Sequence, residues 1–261
     1  EAAPGWLEAM CAAFEAHPGQ IACIIVEPVA GNMGLVCPAE GFLAGLRALC
    51  DEFGALLVFD EVVTGFRTGL AGAQGYFGVT PDITVLGKCL TGGYPMAGAI
   101  GGRKDVMMLL VGGIGTTTRR AFVGGTLSAN PLSCVAGYHA LLEARRTDAA
   151  GVAGRAGDRL RQGLEGIIHR LGLPYVVYNM GSIVHLQTSG VLLLDTSNIF
   201  KLLRVKNEAT QRKHMMEAMG AAYTAHGLIT LAGSRIYTSL ADTDDVIDDA
   251  LNRFEDVFKL V

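Results

Sequence analysis

Three short stretches carry residue types that can do chemistry. The first is Val58-Phe59-Asp60-Glu61-Val62, an apolar run that ends in two acids. In an extended chain, alternation puts Asp60 and Val62 on one face and Glu61 on the other. A carboxylate and a branched aliphatic on one face can hold a flat heteroaromatic ring, the acid bonding a ring nitrogen and the aliphatic packing on the π-face. The plainer reading is a pair of acids solvated at a strand end. The second stretch is Thr84-Val85-Leu86-Gly87-Lys88, where a lysine ends an apolar run ahead of Gly92-Gly93. Desolvation at a strand terminus lowers the pKa of a lysine and makes it an amine nucleophile; a surface lysine with an apolar stem is the alternative. The third is Gly124-Gly125-Thr126-Leu127-Ser128-Ala129-Asn130-Pro131. Its glycines expose backbone N–H groups, Thr126 adds a hydroxyl, and a helix begins near Pro131, which together suit an anion. Asn130 as an ordinary N-cap explains part of the same pattern.

Other chemistries lack their residues. Gly87-Lys88 is followed by Cys89, and Asp82 stands where a nucleotide-binding P-loop needs its first glycine. No GxGxxG follows an apolar strand and no GxSxG is present. The six cysteines form no CxxC and the six histidines no HxH or HExxH, so a zinc site and a disulfide framework are not expected. A net charge of −4 gives no electrostatic footprint for nucleic acid. No apolar run reaches the roughly 18 residues of a membrane span, and no basic-then-apolar leader opens the chain. These features lead us to expect a cytoplasmic protein with no membrane partner.

Strands and helices must position the three stretches. The spacing predicts strands at Ile21–Val29 (near-continuously apolar, hence covered on both faces), Ala55–Val63, Asp82–Gly87 and Ala97–Gly101. Helices are expected at Trp6–Ala16 and Gly41–Phe53, the latter burying Phe42, Leu46, Leu49 and Phe53. Strands alternating with helices imply an α/β fold with a mostly parallel sheet, whose functional groups gather at the C-terminal strand ends. After about residue 140 the character changes. Helices at Pro131–Arg146, Val152–Leu171 and Gln211–His226, strands at Tyr175–Tyr178, Ile183–Gln187, Ile229–Leu231 and Arg235–Leu240, and a last helix opening at Asp242–Asp245 read as a smaller α+β domain. Residues 188–210 fit no period and suggest a loop or lid. Domains are thus expected at 1–145 and 146–261.

Taken together, in order and spacing, the motifs resemble the class-III, fold-type-I enzymes that use pyridoxal 5′-phosphate (PLP). The matching stretches are Val26-Glu27-Pro28-Val29-Ala30-Gly31-Asn32-Met33-Gly34, Phe59 through Arg67, Gly78-Val79-Thr80-Pro81-Asp82, Leu86-Gly87-Lys88 and Gly124 through Leu132. They cover residues 20–145 and continue more weakly through Thr238–Thr243. The resemblance implies that Lys88 is the Schiff-base lysine and later the proton shuttle. Asp60 would keep the pyridine nitrogen protonated, and Val62 would pack on the ring. Thr126 would bind the cofactor phosphate of a neighbouring subunit, so the active site would belong to a homodimer. The implied activity is transfer of an amino group between an amine or amino acid and a keto acid.

Two departures qualify the resemblance. The family's phosphate loop and ring-stacking aromatic lie upstream of Glu1, so this chain by itself is expected to hold the cofactor incompletely. A non-catalytic fragment or pseudoenzyme that keeps the fold is therefore an alternative, with Lys88 and Asp60 arguing against it. The cofactor motifs are nearest those of the 2,1-aminomutases that isomerise glutamate-1-semialdehyde, and intramolecular amino transfer is the second enzymatic reading. Those enzymes carry Phe-Glu-Ala-Gly before a Thr-Ser-Leu, where this chain has Gly233-Ser234-Arg235-Ile236-Tyr237-Thr238-Ser239-Leu240. This is similar to the arginine-plus-strand pattern of ornithine and 4-aminobutyrate aminotransferases. There the arginine, here Arg235, binds a substrate carboxylate and pairs with the glutamate of the Glu-Pro motif, here Glu27.

Overall fold

A computed structural model describes residues 5–94, 98–111, 120–188 and 199–260, with backbone alone over 199–209. These residues form two compact units, Glu1–Asp148 and Ala149–Val261.

The first unit is built on a four-stranded sheet of order β1 (Cys23–Val26), β2 (Leu56–Asp60), β3 (Ile83–Leu86) and β4 (Ala99–Gly102). β1, β2 and β3 run parallel, and β4 pairs antiparallel with β3. This is the mostly parallel α/β sheet expected from the alternation. Helix α1 (Trp6–Ala16) precedes it, α2 (Phe42–Phe53) connects β1 to β2, and α3 (Gly72–Phe77) connects β2 to β3. α4 (Lys104–Met107) follows β4, and α5 (Pro131–Arg146) closes the unit. The core joins Leu43, Leu46 and Cys50 of α2 to Leu57 and Phe59 of β2 and Phe14 of α1. Each large aliphatic so buried contributes about 1.5–3 kcal/mol. The buried stripe of α2 is Leu43, Leu46, Leu49 and Cys50, turned from the expected one because α1 covers the flanks. Trp6 sits edge-on to Phe42 at 4.4 Å, and Phe14 stacks on Phe53 at 4.8 Å.

The strands are shorter than their apolar runs, and β1 is not covered on both faces. Ile25 is 65% exposed, because β1 is an edge strand among the described residues and α2 packs on only one side of it. The fourth strand begins at Ala99 rather than Ala97, which lies outside the described residues.

The second unit is an antiparallel sheet of order β5 (Val176–Met180), β6 (Ile183–Gln187), β7 (Arg235–Tyr237). It packs with α6 (Ala149–Leu171), α7 (Ile199–Ala225) and α8 (Asp244–Phe258) around Leu160, Leu164, Val184, Leu186, Tyr223, Phe254 and Phe258. It is the expected α+β arrangement. Two expectations fail: residues 199–210, read as loop or lid, belong to α7, with 189–198 outside the described residues. Ile229–Leu231 is no strand; Leu231 makes only an isolated bridge with Arg235. Among the described residues no helix is long and apolar enough to cross a membrane.

At the N-terminal end of β3, Asp82 ties three elements together. Its carboxylate accepts from Arg47 Nη1 of α2 (2.8 Å), the Leu57 amide of β2 (2.8 Å) and Arg103 Nη1 after β4 (2.7 Å). Burial by itself raises a carboxyl pKa. Here the Leu57 amide and the Arg47 and Arg103 guanidiniums outweigh it and hold Asp82 below its ordinary 3.8. A folded-state value below the unfolded one stabilises the fold above the unfolded pKa, and that contribution is lost as pH falls through the folded pKa. Asp82→Asn should therefore cost about 3 kcal/mol near neutrality by leaving buried donors poorly paired. The difference from wild type should shrink below roughly pH 4. Urea unfolding followed by Trp6 fluorescence checks this, since the only tryptophan lies in the first unit.

Candidate active site

The parallel register brings three strand ends to one edge of the sheet. Val26 pairs with Phe59, and Asp60 pairs with Val85. Glu27 thus follows β1, Asp60 ends β2, and Gly87-Lys88 follow β3 on the same side, with neighbouring strands about 4.8 Å apart. Such an edge is where open α/β sheets carry their functional groups.

Asp60 is half-buried, and its Oδ1 accepts from the Val62 amide at 3.0 Å. That bond tightens the turn after β2 and leaves lone pairs of the carboxylate for another donor. Val62 lies against the backbone that leads into the lysine: a Cβ placed on Gly87 would meet Val62 Cγ1 at 3.4 Å. Lys88 opens a 3-10 turn, Lys88–Thr91, with φ 50°. A left-handed non-glycine residue costs about 1–3 kcal/mol and persists only where its surroundings impose it. Here α5 imposes it. Gly137 lies so close to the Leu90 carbonyl oxygen that a methyl would collide with it, and a Cβ on Gly92 (φ +61) would lie 2.9 Å from Ala140 Cβ. Thr91 Oγ1 donates to the Tyr94 carbonyl, with the Lys88 carbonyl also in reach of its one proton, and closes the turn.

The desolvation expected of Lys88 is not found. The residue is exposed, on a left-handed turn that does not continue the strand. Thr126 is exposed as well, and so is every residue of 120–129. The first amides of α5 are already taken: Asn130 Oδ1 accepts from Leu132 N (3.0 Å) and Ser133 N (3.3 Å). The plain N-cap therefore accounts for Asn130, and any anion site must use the glycines and Thr126 ahead of it. Glu27 is half-buried, with Oε2 accepting from the Gly31 amide at 3.2 Å. Arg235 is in the second unit, half-buried at the start of β7 and opposite His185 of β6. Among the described residues no cluster of His, Cys, Asp or Glu suits a metal ion.

Sequence reasoning missed Glu61. Its side chain does leave the Asp60 side, but it is buried to 1% exposure. It accepts from the Ala73 amide at 2.6 Å, the Gln74 amide at 3.4 Å and Thr64 Oγ1 at 3.2 Å. An external carboxylate thus caps the first turn of α3 and pins the segment that follows Asp60. The only signal in the sequence is a second acid beside Asp60; its amide partners lie twelve and thirteen residues on, beyond any local pattern.

The amino-acid sequence matches the aminotransferase class-III family over residues 3–258. Among solved structures, it is similar to an omega-transaminase from Sphaerobacter thermophilus (26% identity, TM-score 0.82, covering 98% of this chain and 56% of that one). A β-phenylalanine aminotransferase from Variovorax paradoxus is also similar (26%, TM-score 0.77, 98% and 56%). A third, described as a transaminase with PLP bound, shares the fold at 23% identity with a TM-score of 0.80, covering 97% of this chain and 55% of its own. The chain thus spans little more than half the length of these neighbours. PLP is the cofactor of the family. With the family match spanning residues 3–258 and the strand-end motifs in order, the chain belongs to the class-III aminotransferases.

Proposed function

We propose that the protein is a PLP-dependent aminotransferase, moving an amino group between an amine or amino acid and a keto acid, and that this chain supplies its cofactor lysine. The observation that carries the reading is Lys88, held left-handed at the end of β3, one strand from Asp60 and directly after the glycine that abuts Val62.

These residues fit the cofactor. When bound, PLP supplies an electron sink that makes a proton on the amine-bearing carbon removable. The Lys88 amine would hold the cofactor covalently and, when free, would carry that proton. The exposed position on a rigid turn leaves the amine free to do both. Asp60 would accept from a pyridine N–H and so favour a protonated ring, each pKa unit so held being worth about 1.4 kcal/mol. Val62 packs on the ring face, with Gly87 leaving space beside it. Arg235 binds the keto-acid carboxylate in a bidentate fork, and Glu27 keeps the substrate-side role implied by the resemblance. Intramolecular amino transfer of the aminomutase type is the second reading. It is favoured by the Phe59–Arg67 and Gly124–Leu132 motifs and opposed by Arg235.

The protein acts as a homodimer in this reading, with Thr126 serving the cofactor phosphate of the second copy. Supporting it, Phe122 is 93% exposed, and Leu132 and Val135, three residues apart on α5, are 60% and 58% exposed. Exposed apolar side chains of this kind suit an interface.

Borohydride reduction of the PLP-loaded intact protein, followed by peptide mapping, should place the pyridoxyl group on Lys88, and Lys88→Ala should abolish both label and turnover. A label on Lys104 or Lys201 overturns the assignment.

Arg235→Ala should lower kcat/KM for dicarboxylic acceptors such as 2-oxoglutarate about ten- to hundredfold, the worth of roughly 1.5–3 kcal/mol for one charge-assisted contact, with little effect on simple amine donors. Single-turnover spectroscopy of each half-reaction reads this out. A variant that behaves as wild type, in a protein that no keto acid turns over, favours the aminomutase reading.

Sedimentation of the intact protein should show a dimer that Val135→Glu weakens together with PLP retention. A fully active, PLP-loaded monomer at all concentrations rules the dimer out.

A further inference from the structure

Glu61 is a buried acid that the chemistry of the candidate site does not use. Its carboxylate accepts from three donors: the Ala73 amide (2.6 Å) and Thr64 Oγ1 (3.2 Å) on Oε2, and the Gln74 amide (3.4 Å) on Oε1. None of these donors is a cation. A buried carboxylate met only by neutral donors is a costly arrangement, because burial penalises the charge and no opposite charge offsets it. The fit is also close. A Cβ on Gly72, at φ +62, would collide with Oε2, so the carboxylate rests on bare backbone where α3 begins.

The main chain of Glu61 is tied as well. Its amide donates to the Val85 carbonyl of β3 at 2.9 Å, and its carbonyl accepts from the Gly65 amide at 2.8 Å. Every polar group of residue 61 is thus engaged, and the attachments run to three segments: β3, the turn after β2, and α3. Asp60, next to it, is placed differently. One methylene separates its carboxylate from the main chain, so the carboxylate goes where the backbone goes. A lysine amine on a four-carbon stem can make up a backbone shift by rotation; an aspartate has no such reach. The bond from the Val62 amide to Asp60 Oδ1 orients the carboxylate within its own turn. It does not fix that turn in space. The bonds of Glu61 do.

We propose that Glu61 is the positioning residue of Asp60: anchored in α3, it holds the backbone of 60–62 where the Asp60 carboxylate meets the ring nitrogen of the cofactor. The inference rests on the reading of Asp60 as the partner of that nitrogen. It gives α3 a part in the reaction, although none of its residues is assigned to cofactor or substrate. It also accounts for an acid at this position. Three donors need two acceptor oxygens, whereas a glutamine can keep the Ala73 and Thr64 bonds on its one oxygen but must turn its NH2 toward the Gln74 amide.

The test uses the intact PLP-loaded protein, with turnover counted per bound cofactor and Asp60→Asn as the reference. Asp60→Asn should lower kcat about a hundredfold and shift the absorbance of the bound cofactor. Glu61→Ala should lower kcat about tenfold through misplacement of Asp60, with KM for the amine donor unchanged. It should shift the absorbance in the same direction, by less, and Glu61→Gln should recover most of both losses. The double variant should be no worse than Asp60→Asn, because a residue that acts only through Asp60 then has nothing left to position. Thr64→Val, close in shape and lacking one donor to Glu61, should shift the absorbance the same way with kcat lowered about twofold; it decides the matter if Glu61→Ala does not fold. Wild-type absorbance and kcat in the deciding variant, beside a defective Asp60→Asn, overturn the proposal and leave the Asp60 reading standing. An Asp60→Asn protein indistinguishable from wild type overturns both. Losses that multiply in the double variant, or a Glu61→Ala protein whose only defect is a lower unfolding midpoint, show a role in folding alone and also overturn the proposal.

Discussion

The register between β2 and β3 is the constraint on which the candidate site depends. Asp60 stands opposite Val85, and the Glu61 amide then donates to the Val85 carbonyl at 2.9 Å. A slip of one residue would send Asp60 to the opposite face of the sheet and bring Glu61 to the lysine side. Two buried carboxylates guard against the slip from opposite ends. Asp82 fixes the start of β3 to β2 through the Leu57 amide. Glu61 fixes the segment beyond the end of β2 to the first turn of α3. Asp82 is met by an amide and two guanidiniums, and Glu61 by two amides and a hydroxyl.

The strand-end motifs were legible because parallel strands buried in a sheet are continuous apolar runs, and their ends show as the first polar residues. Asp60, Glu61 and Lys88 stand out for that reason. What the ends do next was less legible. Glu61 is anchored by amides twelve and thirteen residues away, and the exposure of Lys88 follows from a left-handed turn imposed by α5, which begins over forty residues later. Neither is a local pattern. The helix over 199–210 escaped periodicity for another reason. α7 as a whole alternates apolar and charged residues without a sharp stripe, so no face announces itself in that stretch. Conversely, β1 reads as fully buried from its sequence, yet Ile25 is open; an apolar run records what a strand prefers to bury and not whether this chain covers it.

The second unit shows the same economy with different materials. Its helices supply most of the aromatic core, with Tyr223 edge-on to Phe254 at 5.0 Å; Tyr175, just ahead of β5, is edge-on to Phe258 at 5.3 Å. The sheet is left to carry polar groups in register on its other face. Arg235 is held at both its backbone groups, donating from its amide to the Leu231 carbonyl and accepting from the Leu231 amide.

The contact of α5 with the lysine turn has a mechanical meaning. Hydrogen is the only substituent that fits between residue 137 and the Leu90 carbonyl, and Gly92 is nearly as confined against Ala136 and Ala140. Helix and turn therefore meet backbone to backbone, with no flexible side chain between them to absorb a displacement. A tilt of α5 of a few tenths of an ångström is passed undamped to residues 87–91. The loop that runs into the helix at Asn130 and the lysine turn thus behave as two ends of one stiff rod, and their relative position is set once, at folding, with no slack for later adjustment.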